Sequence, residues 1–160
     1  MTDCLAVIDG LAPLTGWIDG ELHARAEADP RVKVLRTLPG AGEFTAQVML
    51  AEIGDITRLP SALSWPAGPG LLPRSAARGL HVRHGHITGQ GSAWLRWVMN
   101  QAAQTAKRSP EFAAAYSSIA RRRGEEIATI AIARKLLTRA WHLLNQMQTA
   151  KATTTPPRRP

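Results

Sequence analysis

The sequence predicts an all-α fold, and three observations carry that reading. Apolar residues recur mostly at intervals of three, four or seven along several stretches, the period of one helix face. Cap-forming residues bracket those stretches, and helix-breaking Pro and Gly crowd into residues 60–91. A length of 160 residues and 44% hydrophobic content suit one packed domain. The expected layout is a helical arm over residues 1–29, a domain over 30–148 and a disordered basic tail over 149–160. Within the domain, a helix-hairpin-helix is followed by a long basic loop and three further helices.

The arm places Leu5, Ile8, Leu11, Ile18, Leu22 and Ala26 on a helical period, and serves as a linker or as a partner-pairing segment. Gly10, Pro13 and Gly16 argue against one unbroken helix, because proline lacks its amide donor and clashes one turn back. Asp29-Pro30 ends the element. A short helix over residues 31–37 leads into Leu38-Pro39-Gly40-Ala41-Gly42. A second helix then runs from Glu43 to Ile53 and stops at Gly54. Residues 60–91 hold Pro60, Pro66, Pro69 and Pro73 with six glycines, and read as a long loop. Ser92 caps the next helix, whose apolar residues include Trp94, Leu95, Val98, Met99, Ala102 and Ala106. Ser109-Pro110-Glu111 supplies an N-cap, a first-turn proline and a first-turn acid. Phe112, Ala115, Tyr116 and Ile119 form the apolar stripe of that helix, Arg121, Arg122 and Arg123 fill its last turn, and Gly124 ends it. The final helix, residues 125–148, is apolar on a broad face that includes Ile127, Ile130, Ile132, Leu136, Leu137, Leu143 and Leu144.

Charge is distributed unevenly. The chain carries a formal net charge of +8, yet residues 1–55 hold four Lys/Arg against nine Asp/Glu. Residues 56–110 hold seven Lys/Arg and no acid, and residues 111–160 hold nine basic residues against three acids. An acid-free stretch of that length points to phosphate as a partner. The single Cys4 excludes a disulfide framework and any multi-cysteine zinc site. Asp3 and Asp9 interrupt the first apolar stretch, so no signal peptide is expected, and no apolar run approaches the roughly 20 residues that span a bilayer. The expected location is cytoplasmic.

Two segments carry candidate binding chemistry. In the first, Gly40 and Gly42 allow a tight turn and a close backbone approach, while the helix that follows, with Thr45 in its first turn, aims free amides at the hairpin. A phosphate fits that arrangement without any base being read. Glu43 sits awkwardly there, and a tight helix–helix turn explains the same glycines. The second segment gathers Arg74, Arg78, His81, Arg83, His84, His86, Thr88 and Arg96 around a glycine-rich run that opens into a helix. Cations and amides in that order would grip a nucleic-acid backbone. Zinc is disfavoured there, since the three histidines have no nearby cysteine and no fourth ligand. Trp94, Trp97 and Trp141 are candidates for base stacking, but their spacing among Leu and Ala assigns them to the core. Glu52 and Asp55, three apart, read as a solvated face, so no ordinary acid–base site is evident.

Taken together, these segments resemble the carboxy-terminal transposase domain of the DEDD-type insertion-sequence transposases, relatives of the Piv/MooV invertases. The resemblance rests on Leu38-Pro39-Gly40-Ala41-Gly42, on Leu50 to Arg58 and on Pro60-Ser61-Ala62. It resumes over Val82 to Arg96 and closes with Ala133-Arg134-Lys135-Leu136-Leu137, covering residues 30–145. It implies DNA as the partner, a structured guide RNA, and a serine nucleophile that attacks a DNA phosphodiester. It further implies an amino-terminal domain of ribonuclease-H type whose four acids hold divalent metal. This chain has no room for that domain, so no cofactor is expected in it. The serine position falls on Arg78, with Gly79 after it, and Ser75 is the nearest hydroxyl. Residues 63–81 match the family poorly between two well-matched flanks, as a segment read out of frame and then restored would. The sequence therefore reads as a truncated or degenerate transposase that keeps DNA binding. The alternative is a non-catalytic regulator that pairs with itself or with a full-length transposase.

Overall fold

A computed structural model of the chain describes residues 2–59, 61, 71, 73–78, 81–87 and 91–154. Among the described residues, six α-helices build the molecule: α1 (Thr2–Ala28), α2 (Pro30–Leu35), α3 (Glu43–Ile53), α4 (Ala93–Ala106), α5 (Pro110–Arg123) and α6 (Glu125–Thr154). A 3₁₀ turn, Ile56–Arg58, follows α3. The helical class expected from the periodicity is the one observed.

The core is built on α6. Its residues Ile132, Leu136, Leu137 and Leu144 are buried against Val98, Met99 and Ala102 of α4, Val32 and Leu35 of α2, and Met49 of α3. Boundary residues act as their chemistry dictates. Asp29 accepts from the Arg31 amide at the start of α2, and Pro30 takes the first helical position. Gly54 and Gly124 end α3 and α5 with positive φ angles of 60° and 90°. Gly40, at φ +78°, lies so close to α4 that a Cβ there would come within 2.2 Å of the Ala102 carbonyl oxygen. The hairpin between α2 and α3 is therefore pressed into α4, and only glycine fits the contact.

Five expectations need correction. First, α1 is one unbroken helix with Pro13 inside it. An exposed helix tolerates this because water satisfies the carbonyl left without a donor, and the Thr15 hydroxyl donates to the Ala12 carbonyl beside the proline. Second, the loop assigned to residues 60–91 contains a β-hairpin, β1 (Pro73–Arg78) paired antiparallel with β2 (His81–Ile87). Its backbone groups are satisfied by the ladder rather than by water alone. Third, Trp94 and Trp97 are not core residues: they are 67% and 50% exposed. Leu95, Val98, Met99 and Ala102 already fill the buried side of α4, and the tryptophans lie off that stripe. Fourth, α6 continues through residues 149–154, which the sequence assigns to the tail; residues 155–160 lie outside the described residues. Fifth, the Ser109 hydroxyl does not cap α5 but donates backwards to the Ala106 carbonyl at 2.7 Å.

Candidate nucleic-acid interface

The hairpin leads into α4 within the stretch of the sequence that holds no acid. At its base, Leu71 is buried, 2% exposed, beside Ala93, Trp97 and Ile130. At the other end, the Ser92 hydroxyl accepts from the Leu95 amide at 3.1 Å, capping α4. The same hydroxyl donates to the Glu52 carboxylate of α3 at 2.6 Å. One serine therefore caps a helix and ties the end of α3 to the start of α4. Both ends of the hairpin segment are anchored in the helical body. Among the described residues, no helix packs along either strand, so the strands pair mainly with each other.

The strand register distributes the candidate residues. Ser75 pairs with His84, Ala76 with Arg83, Ala77 with Val82 and Arg78 with His81. An irregularity between Pro73 and Ser75, the interval that contains Arg74, shifts the pairing so that Pro73 meets Ile87. Arg74, Ser75, Arg78, Arg83, His84 and His86 thus come together on one two-stranded unit that holds no acidic residue. Thr88 lies outside the described residues. Arg96 follows in the first turn of α4, half-buried.

The first candidate segment has a different character. Gly42 is exposed at the N-cap of α3 and Thr45 is half-buried in its first turn. Beside them, the Glu43 carboxylate accepts from His23 at 3.2 Å and lies 3.7 Å from the Arg36 guanidinium. A paired carboxylate therefore occupies the positive end of the α3 dipole. Together with the contact of Gly40 on Ala102, this gives the helix-hairpin-helix a packing role.

Two carboxylates at the end of α3, Glu52 and Asp55, are also engaged. Asp55 caps the 3₁₀ turn, and the Thr57 amide and then its hydroxyl hold its carboxyl below the usual aspartate range. With Glu52 held by Ser92, neither acid is arranged for a metal. Among the described residues, no three His, Cys, Asp or Glu side chains gather as a metal site.

Sequence reasoning missed three features. The Glu52–Ser92 bond spans 40 residues, and nothing in the sequence marks it. Trp94 and Trp97 meet edge to face, with ring centroids 6.1 Å apart, on the exposed side of α4. Trp141 is half-buried and donates its indole N–H to the Leu59 carbonyl at 3.3 Å, fastening the segment after α3 to α6.

Residues 32–117, more than half of the chain, match the sequence model described as the transposase IS116/IS110/IS902 family. A protein of Streptomyces coelicolor described as an insertion element IS110 uncharacterized 43.6 kDa protein is 32% identical over 82 residues, covering 51% of this chain and 20% of its own length. A probable family 20 transposase of Pseudomonas aeruginosa is 24% identical over 134 residues, which cover 81% of this chain and 40% of that protein. The transposase for insertion sequence element IS1111A of Coxiella burnetii is 27% identical over 139 residues, or 84% of this chain and 38% of the relative. The chain thus spans between a fifth and two fifths of the length of these relatives. No described helix is long and apolar enough to cross a membrane.

Proposed function

The chain belongs to the IS116/IS110/IS902 transposase family, and we propose that it is the DNA-handling carboxy-terminal part of such a transposase, gripping duplex DNA by its phosphates. The observation that carries this reading is the acid-free hairpin. Arg74, Arg78 and Arg83 sit on two short strands anchored at both ends to the helical body, inside the family match. Arginine-rich, carboxylate-free surfaces gain affinity by releasing counterions from DNA, a sequence-independent term. Gly42 and Thr45 offer a lesser contact, weakened by the Glu43 carboxylate beside them.

The test is DNA binding across a salt series. If about four to six phosphates are engaged, log Kd should change with log salt at a slope of roughly 4 to 5. Replacing Arg74, Arg78 and Arg83 by Ala should flatten that slope by about 2 to 3. A slope near zero in the unaltered chain overturns the reading.

Ser75 is the nucleophile of the proposal, set opposite His84 by the strand register. Its hydroxyl would attack a DNA phosphorus, forming a serine ester as the bond to the leaving strand oxygen breaks. That chemistry needs acids and metal from a full-length partner, and a guide RNA to choose the site. Ser75→Ala should abolish partner-supported strand exchange; full exchange by the variant removes Ser75 from the mechanism. Pairing with such a partner is favoured by α1, whose apolar side chains stand exposed. Removing residues 3–28 should then abolish co-assembly with a full-length transposase.

A further inference from the structure

We propose that Trp94 and Trp97 form a stacking platform for an unpaired base of DNA held by the neighbouring hairpin. The inference deepens the DNA-handling reading and rests on it. Large aromatic side chains normally bury most of their surface, so two exposed tryptophans in contact need an explanation. Neither contributes to the core, which Leu95 and Val98 supply from the same turns of α4. Stacking on a base is the use of an exposed indole that nucleic acid offers, and it accepts any base because every base has a π-face.

The surroundings favour a nucleobase over an apolar partner. A groove of about 620 Å³ runs beside Trp97, between α4 and the start of α6. Its α4 side carries Arg96, Asn100, Gln104 and Lys107, and its α6 side carries Glu125 and Glu126. An apolar partner helix would have to strip water from the exposed Asn100, Gln104, Glu125 and Glu126. A base edge instead pairs with them: amides serve bidentately, and carboxylates accept from exocyclic amines. The two glutamates repel phosphate, so the backbone is directed away from α6. Duplex DNA cannot present a base face to the indoles, whereas a locally opened strand can. Charge thus keeps the strand backbone off the α6 side and leaves a base to the tryptophan side.

The test compares a fully paired duplex with the same duplex interrupted by a short unpaired bubble, at one salt concentration, using the whole chain. The bubble should bind about tenfold more tightly and quench tryptophan emission. Trp97→Ala should erase that preference, while Trp97→Phe retains most of it. Trp94→Ala should reduce the preference to a lesser extent. Both side chains are exposed, so an unchanged melting curve confirms that each variant is folded. Duplex binding with no bubble preference, or a preference indifferent to both tryptophans, overturns the platform alone. Absence of all DNA binding overturns the DNA-handling reading and the platform with it. An RNA of the same bubble sequence, bound more tightly and with the same tryptophan dependence, overturns the assignment to DNA.

Discussion

The two longest helices are of similar length and are built on the same apolar period, yet they live in opposite surroundings. Helix α6 has 30 residues and buries Ala128, Ile132, Ala133, Leu136, Leu137, Ala140 and Leu144. Helix α1 has 27 residues, and its large apolar side chains from Leu5 to Ile18 are 48–68% exposed. Only its last turns meet the body, where Ala26 is buried and the Gln47 side chain donates to the Leu22 carbonyl at 2.8 Å. Periodicity makes a helix face; a partner makes it a core. In α6 the partners are α2, α4 and α5 of the same chain, whereas among the described residues nothing covers residues 4–19 of α1.

Truncating a leucine on each helix puts the largest effect on this contrast. Leu136→Ala removes a fully buried side chain and should cost about 2–5 kcal/mol in chemical denaturation. Leu11→Ala should change stability by less than about 0.5 kcal/mol, since its side chain already meets water. A loss for Leu11→Ala approaching that for Leu136→Ala would break the comparison. It would mean that α1 is covered in solution, and the loss should then fall on dilution as copies separate.

Glycine gives the same contrast with opposite signs. Gly40→Ala sets a Cβ within 2.2 Å of a backbone oxygen of α4 at a positive φ, so both the turn and the packing must shift. A cost of about 1–3 kcal/mol is expected. Gly10→Ala meets nothing within 4 Å in mid-helix, and should stabilise α1 by about 0.5–1 kcal/mol. Melting curves read the first substitution and helical circular dichroism the second. Equal effects of one sign would show that Gly40 is not pressed against α4 as described.

How much of this is legible in the sequence depends on whether a signal is local. Caps and stops at Asp29-Pro30, Gly54, Ser92 and Gly124 place four boundaries, because each acts within a turn of itself. The hairpin escapes because four prolines and six glycines over residues 60–91 outweigh two short runs, although a Gly79-Leu80 interval suits a two-residue connection. Spacing to its neighbours, taken one at a time, assigns Trp97 to the core. At about 100° per residue it falls nearly opposite the middle of the Leu95, Val98, Met99 and Ala102 stripe, a signal that appears once the whole face is drawn. The exposure of α1 cannot be read at all, since an apolar face looks the same whether its partner is present or elsewhere. The Glu52–Ser92 tie is equally invisible, as a bond over 40 residues leaves no local pattern.

The smallest predicted effect lies where the two regimes meet, at the last turn of α1. Glu27 reaches Lys33 of α2 at 3.2 Å and Arg36 at 3.6 Å. Its carboxyl is held below the ordinary value of 4.5, first by the Lys33 hydrogen bond and then by the charge of Lys33. A depressed acid stabilises the folded state above its ordinary value, and that contribution is lost as pH falls through the folded value. Glu27→Gln should therefore loosen residues 22–28 slightly at neutral pH, seen as faster amide exchange after correction for intrinsic rates. The difference between variant and parent should close below pH 4.5 and shrink as salt is added, because the pair is exposed. Exchange at the buried turns of α6 should be indifferent to the substitution, being governed by apolar contacts that do not titrate. A matching acid-dependent change in α6 would show that the arm and the body are one cooperative unit rather than two regimes joined at Glu27.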